Sequence, residues 1–325
     1  MRPATSNNTQ SPRPTPPRAP SATPQSTPAT VVDALNGVFG KQDHHRAIHA
    51  KGVVVRGTFT PADAAAQVST APHFQTSVAV TARLSSFHGV PTTPDASPGD
   101  NPRGLAVRFH LPDGTSTDIV AHSYDGFPVK TVDEFRELFV ALGASGPGTA
   151  SPTPAEKFLA TRPRARAFLT GQKAAPTSYA TLPYYGVNAF TFLSAAGVAT
   201  HGRYRFLPLA GEHLLTKAEE QSAAPDYLRV ELADRLARGP AVFRLVLQLA
   251  EPSDDLTDPS VAWPDTRPTM DLGVLQVAQI AADSEIAERA LVFSPASLPK
   301  GIEAADPMVR FRSDAYGESF RRRST

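Results

Sequence analysis

Apolar and polar residues alternate over many short stretches of this 325-residue chain. Such alternation is typical of β-strands that bury one face. Enrichment in β-branched and aromatic residues, with turn-forming residues at the ends, favours strands further. On these grounds eight segments are predicted as strands: 52–60, 74–84, 104–111, 117–121, 186–193, 200–207, 241–249 and 272–279.

Apolar residues spaced by three or four positions predict helices around and between the strands. This spacing covers residues 30–39, 132–142 and 155–170, and a further helix is expected at 223–237. Short turns, such as the one at 112–114, join consecutive strands, so we expect the strands to pair antiparallel. Together the elements indicate an α+β fold with helices inserted into one sheet.

The amino-terminal segment differs in composition from the rest of the chain. Its first 30 residues hold eight prolines, ten serines or threonines and no acidic residue, which leaves too little apolar surface to bury. We therefore predict a disordered tail at 1–30 and a single domain at 31–325. The sequence has no uninterrupted apolar signal region and no run of about 18 apolar residues, so we expect a cytoplasmic protein without a membrane span.

Charge and cysteine content exclude several classes of function. The 32 basic and 31 acidic residues give a net charge of +1, which argues against nucleic acid or an anionic membrane as a partner. Cysteine is absent from the sequence, and this excludes disulfides, thiolate ligation of haem, iron–sulfur clusters and zinc-thiolate sites.

Two segments near opposite ends of the chain carry candidate chemistry. Arg312 precedes Tyr316 by four residues, so the two side chains share one face of a helix. The guanidinium can hold the phenol as a phenolate, which is an anionic oxygen ligand for ferric iron. His49, in the string Arg46-Ala-Ile-His49-Ala-Lys-Gly52, can act as an acid or base on the opposite side of that metal.

These strings resemble the haem catalase superfamily, in particular its smaller catalase-related peroxidases. That family carries its distal histidine in Arg-x-x-His-Ala-x-Gly and its iron-binding tyrosine in Arg-x-x-x-Tyr. Residues 101–109 and 293–303 resemble two further family segments in the same chain order. The resemblance covers about residues 33 to 323. It implies an eight-stranded antiparallel β-barrel, with inserted and appended helices, that holds haem against one wall.

The resemblance also implies roles on the distal side of the haem. His49 would be the catalytic acid and base, and the Ser85 hydroxyl would orient its ring. Phe127 would lie near the haem. The family has a distal asparagine where this chain has His122. An imidazole donates a hydrogen bond as an amide does, but it titrates and differs in shape, which argues against oxidation of a second peroxide to dioxygen.

On the proximal side the resemblance makes Tyr316 the axial ligand of the haem iron, with Arg312 beside it. Arg46, Arg83 and Arg323 would bind the haem propionates. For Arg323, seven residues after Tyr316, the spacing supports this independently, because a dianionic cofactor favours fixed guanidinium groups nearby.

A second departure from typical catalases is length, because the sequence stops nine residues after Tyr316. This favours the catalase-related peroxidases, which reduce organic hydroperoxides and hydrogen peroxide with an external electron donor through a ferryl intermediate. No glycine-rich phosphate-binding motif is present, so we expect no tightly bound NADPH. The expected partners are a small hydroperoxide and an organic electron donor, and family members assemble as homo-oligomers.

Three alternatives remain open from the sequence. The first is a true catalase that converts hydrogen peroxide to water and dioxygen. The second is a module that binds haem or a lipid hydroperoxide without turnover. The third is a non-haem metal site built from Asp43, His45 and His49, since histidines four residues apart converge on a helix. The β-branched run after His49 argues against a helix there.

Overall fold

The computed structural model describes residues 25–324, and within this range the strands form a single sheet in which every pairing is antiparallel. The strands are β1 (Gly52–Pro61), β2 (Val78–Ser85), β3 (Gly104–His110), β4 (Ser116–His122), β5 (Tyr184–Tyr185), β6 (Phe190–Leu193), β7 (Ala199–Pro208), β8 (Ala241–Leu249), β9 (Thr269–Ile280) and β10 (Ile302–Ala304).

The sheet closes on itself. Its strand order is β10-β6-β7-β5-β4-β3-β2-β1-β9-β8, and β8 also pairs with β7. The ring therefore contains eight strands, while β6 and β10 extend the sheet beside β7. The predicted eight-stranded antiparallel barrel is confirmed.

Large apolar side chains form the main core, on the inner face of the barrel. Phe59, Phe109, Phe206 and Phe243 are among its fully buried residues, and the rings of Phe59 and Phe109 meet edge to face at 5.2 Å. Each such side chain stabilises the fold by about 1.5–3 kcal/mol through burial alone. Because side chains fill this interior, a cofactor has to bind outside the barrel wall.

The helices pack outside the barrel, and several begin at clear capping signals. Thr131 and Glu134 form a capping box at the start of α3, and Thr153 and Glu156 form one at α4. The helices are α1 (Pro28–Phe39), α2 (Asp63–Val68), α3 (Val132–Gly143), α4 (Pro154–Ala160), α5 (Pro163–Thr170), α6 (Lys217–Ser222), α7 (Tyr227–Arg238), α8 (Ser284–Ala290) and α9 (Met308–Arg323).

A second apolar cluster joins α1, α3, α4 and α5. Its buried members include Leu35 of α1, Leu138 and Phe139 of α3, and Phe158 of α4, and the partly buried Phe311 of α9 packs against it. This cluster holds the helices as a layer over one side of the barrel and leaves space between the layer and the wall.

Some boundaries differ from the sequence prediction. Pro163 divides the helix expected at 155–170 into α4 and α5, because proline lacks the backbone N–H that a continuous helix requires. The strand expected at 74–84 begins at Val78, since 72–74 form a 3₁₀ turn. The tail predicted at 1–30 was too long at its end, because α1 starts at Pro28; residues 1–24 lie outside the described range.

No helix among residues 25–324 has the length and apolar character needed to cross a membrane.

Candidate active site

A cavity of about 470 Å³ lies between the barrel wall and the helical layer. Its lining includes side chains from α1, α3, α5 and α9, together with the ends of β2, β3 and β4. All nine residues predicted from the sequence as site residues line it: Arg46, His49, Arg83, Ser85, His122, Phe127, Arg312, Tyr316 and Arg323.

The register of three strands builds one wall of the cavity. Ser85 of β2 and His122 of β4 both pair with Gly104 of β3, so the three residues lie side by side on one face of the sheet. A Cβ atom at Gly104 would lie 2.5 Å from Ser85 Oγ and 3.0 Å from His49 Nδ1. Only glycine leaves room for the histidine ring here, a role that the sequence string containing Gly104 did not reveal.

His49 is fixed in the cavity by contacts on several sides. Its Nδ1 atom lies 3.1 Å from Ser85 Oγ, and its ring meets Phe87 edge to face. Its backbone has a φ of 56°, in the left-handed region that few non-glycine residues adopt, and its N–H donates to the Phe87 carbonyl. With Nδ1 engaged by Ser85, Nε2 is the ring nitrogen available to a ligand.

Burial keeps His49 neutral. It lowers the pKa of His49 well below its ordinary value, and the nearby charge of Arg83 acts in the same direction. A neutral imidazole at neutral pH can accept a proton, which is what a general base requires.

His122 presents an unused donor. Its side chain is buried, and its Nδ1 accepts the Tyr124 backbone N–H at 3.4 Å, which places the ring proton on Nε2. Burial, with the charge of Arg312, lowers the pKa of His122 to about 3, so the ring is neutral. Within the described residues Nε2 has no hydrogen-bond partner. A buried polar group without a partner costs about 1–3 kcal/mol, so this atom points to a ligand in the cavity.

The α9 side of the cavity carries a chain of hydrogen bonds that ends at Tyr316. Arg312 donates to the phenol oxygen from Nε at 3.2 Å and from Nη2 at 2.7 Å. Its Nη1 donates to Asn188 Oδ1, and the Asn188 amide donates to Asp306 Oδ2 at 2.7 Å. The arginine is therefore held on both sides, and two of its N–H groups point at the phenol oxygen of Tyr316.

Three arginines cluster at one edge of the cavity around a carboxylate that the sequence interpretation missed. Arg46 Nη1 lies 2.8 Å from Glu288 Oε1, and Arg83 Nε lies 2.6 and 2.7 Å from the two carboxylate oxygens. Arg323 is buried, and its Nη2 donates to the Leu291 carbonyl at 2.7 Å. Its Nε has no partner within the described residues. Burial, with the charge of Arg83, lowers the pKa of Arg323 to about 10.

Aromatic and aliphatic side chains form most of the remaining surface. Phe127 stacks on Phe135 of α3 with the ring planes 13° apart, and the ring of Phe168 meets His122 edge to face. Val31 and Leu35 of α1 also face the cavity. The walls thus suit a largely apolar ligand that carries anionic groups at the edge where the arginines cluster.

These groups match an iron porphyrin. A phenol beside a guanidinium is a suitable axial ligand for ferric iron. The apolar walls fit the macrocycle, and the arginine cluster, with the free Nε of Arg323, fits its propionates. The haem fit rests on this chemistry together with the unpartnered Nε2 of His122.

The non-haem alternative is not supported. Residues 43–49 form turns and bends rather than a helix, and His45 Nδ1 lies 2.7 Å from the carbonyl oxygen of Asp43. Over residues 25–324 no group of three histidine, cysteine or acidic side chains is placed to hold a metal ion.

Sequence comparison finds a family and relatives that match most of this chain. The Catalase family model matches residues 34–325. A catalase-related peroxidase of Mycolicibacterium paratuberculosis is 37% identical over 303 residues, which make up 92% of this chain and 95% of that protein. A catalase-related peroxidase of Synechococcus elongatus is 32% identical over 92% of this chain and 89% of its own length.

Among solved structures, a fungal catalase superposes with a TM-score of 0.77 at 20% identity, covering 90% of this chain and 62% of that one. That likeness concerns the fold. The family model and the two sequence relatives go further, and on them the chain belongs to the catalase family.

Proposed function

We propose that this protein is a haem-dependent peroxidase that reduces organic hydroperoxides and hydrogen peroxide with an external electron donor. Membership of the catalase family, with two catalase-related peroxidases as relatives, makes it an oxidoreductase that acts on peroxide. The observation that carries the finer proposal is the geometry of the cavity, in which the Ser85–His49 pair and the Arg312–Tyr316 pair line a common space.

Haem, when bound, would supply the iron redox chemistry that splits the O–O bond. Tyr316 would hold the iron as a phenolate, with Arg312 as its counter-ion. Arg46, Arg83 and Arg323 would hold the propionates and so fix the orientation of the ring.

His49 would move the proton. Its Nε2 accepts the proton of the hydroperoxide and delivers it to the oxygen that leaves as the alcohol, while Ser85 keeps Nδ1 engaged and the ring fixed. The overall reaction takes two electrons and two protons per ROOH and yields ROH and water, and the donor supplies the electrons. The Nε2–H of His122 would donate to the bound peroxide.

The apolar walls support an organic substrate. Phe87, Phe139, Phe168 and Leu142 lie in the same cavity as the polar residues, so an alkyl or aryl group can be buried while its hydroperoxide end meets His49.

True dismutation is the second candidate, and one observation favours it. Because burial holds the pKa of His122 at about 3, its Nε2–H stays a neutral donor through the ordinary pH range, as an amide would. The imidazole could then take part in oxidising a second peroxide. The two activities are separated by measuring dioxygen release beside donor oxidation.

The test compares haem-loaded wild type with His49→Ala and a matched control, His45→Ala, whose side chain is exposed. We expect donor oxidation with cumene hydroperoxide to fall by about 10²-fold or more in His49→Ala, the range that a positioned acid-base group contributes, and to stay unchanged in the control. Undiminished turnover in His49→Ala would remove the assigned base. Haem binding without turnover in the wild type would favour a binding module.

A further inference from the structure

Glu288 lies at the centre of the arginine cluster. Its carboxylate accepts hydrogen bonds from Arg46 and Arg83, and its backbone carbonyl accepts a further one from Arg46 Nη1 at 3.1 Å. Three residues later, the Leu291 carbonyl accepts from Arg46 Nη2 at 2.9 Å and from Arg323 at 2.7 Å. The arginines proposed to bind the haem propionates therefore hold the segment 288–291.

The charges of this cluster do not balance. Three guanidiniums surround one carboxylate, which leaves a net charge of +2 at a largely buried edge of the cavity. Burial alone would raise the pKa of Glu288, but Arg83, Arg46 and Arg323 together hold it below its ordinary value. The carboxylate is thus ionised at neutral pH, and the cluster can still accept further anions.

Apart from these arginine contacts, α8 packs loosely. Ser284 is its one buried residue, and its hydroxyl accepts the backbone N–H of Val54 at 3.0 Å. Ile286, an apolar residue, is 72% exposed. The helix is fixed near Ser284 at one end, and near the other by the Glu288 carboxylate and by the carbonyl groups of Glu288 and Leu291. Loss of the carboxylate contacts would therefore loosen its carboxyl-terminal end while the carbonyl contacts remain.

The donors that Glu288 occupies are those that a propionate would use. The Nε and Nη2 atoms of Arg83 form a fork toward one carboxylate, and Glu288 fills it. A second carboxylate cannot bind in the same fork at the same time. Arg323 Nε, by contrast, is buried without a partner within the described residues, so Glu288 does not occupy it.

We propose that Glu288 is a resident carboxylate that competes with a haem propionate for Arg83 and Arg46, so that α8 is a displaceable cover over the propionate site. This inference rests on the proposed haem-binding function. On haem binding a propionate would replace the Glu288 carboxylate, and the carboxyl-terminal end of α8 would loosen. This competition predicts the direction of two effects. Glu288 stabilises the fold of the protein without haem, and it weakens the affinity of the protein for haem.

The test titrates haem into purified protein and follows the Soret band, for wild type, Glu288→Gln and Glu285→Gln. Glu285 is exposed on the same helix and serves as the matched control. We expect Glu288→Gln to bind haem about tenfold more tightly than wild type and to have a lower melting temperature without haem. The control, Glu285→Gln, should match wild type in both haem affinity and melting temperature. Weaker haem binding by Glu288→Gln would mean that Glu288 positions the arginines, and unchanged binding would mean that it meets no propionate.

Haem dimethyl ester gives a second arm, because esterification removes the propionate charges. Glu288→Gln should have no advantage over wild type with this probe, and an equal gain in affinity with both cofactors would overturn the competition.

A measurement on wild type alone is hydrogen exchange at 284–290, which should become faster on haem binding. Slower exchange would contradict loosening of α8. A wild-type chain that causes no change in the Soret band of added haem would overturn the proposed function, and this inference with it.

Discussion

Arg312 Nη2 lies 2.7 Å from the phenol oxygen of Tyr316, one helical turn further along α9. Removing the guanidinium by Arg312→Leu takes both hydrogen bonds from the phenol oxygen of Tyr316, the proposed iron ligand. A hydrogen bond to a charged group contributes about 1.5–3 kcal/mol. We expect haem affinity to fall by about 10- to 100-fold in a Soret titration.

Arg310→Leu is the control for this prediction, because Arg310 lies on the same helix and is exposed. Its haem affinity should equal that of wild type. If both variants bind haem as wild type does, Arg312 does not stabilise an iron-binding phenolate.

Gly104→Ala should displace His49, the proposed acid-base group. The new methyl group would meet Ser85 Oγ at 2.5 Å and His49 Nδ1 at 3.0 Å, so the hydrogen bond between them has to break or shift. We expect the peroxidase rate constant to fall by at least about tenfold while haem still binds, since a shift of about 1 Å in a catalytic group has large effects. Gly146→Ala, at an exposed position with open space around it, should leave the rate unchanged. A wild-type rate in Gly104→Ala would show that the pair tolerates the methyl group.

His122→Asn should shift the balance between the two activities. The substitution restores the amide that catalases carry and removes an imidazole whose ring contacts Phe127 and Phe168. We expect the ratio of dioxygen release to donor oxidation to rise, as measured with an oxygen electrode and a chromogenic donor on the same preparation. An unaltered ratio would mean that this position does not set the reaction outcome.

His73 should make the fold sensitive to acid independently of haem. It lies in the barrel core between Phe59, Phe74 and Phe109, and burial lowers its pKa to about 3. Between about pH 3 and pH 6.5 the unfolded chain binds a proton at this histidine and the folded chain does not. His73 therefore lowers the free energy of unfolding by about 1.4 kcal/mol for each pH unit of acidification in this range.

His73→Leu should make the acid side of the stability curve shallower by this amount, as measured by denaturant unfolding at several pH values. His201→Leu, at an exposed position, is the control and should leave the slope unchanged. An identical slope in His73→Leu and wild type would show that His73 is protonated in the folded chain.

The fold was predictable where a periodic pattern was long enough to be read. The strands at 104–111, 200–207 and 241–249 lie within about one residue of their predicted ends, because each has one face on the barrel core. β5 and β10 have two and three residues, too short to show a period. Residues 284–290 form a loosely packed helix with one buried residue, so no apolar face marked it in the sequence.

Residues of the candidate site were predictable only where they belong to a short sequence motif. The strings placed nine residues that line one cavity, although their roles are still predictions. Glu288 and Asn188 were not identified, because each meets its arginine from a distant part of the chain: Glu288 and Arg46 are 242 residues apart, and Asn188 and Arg312 are 124 apart. Such contacts follow from tertiary packing, which no local pattern in one sequence encodes.

His49 and Tyr316 belong to segments that precede and follow nearly the whole barrel in the chain, yet both line the same cavity. A partly folded molecule with a closed barrel but an undocked α9 would lack one wall of this space and remain colourless. Haem binding should therefore report that the entire domain has folded. Bound haem should in turn stabilise the segments of His49 and Tyr316 against local unfolding.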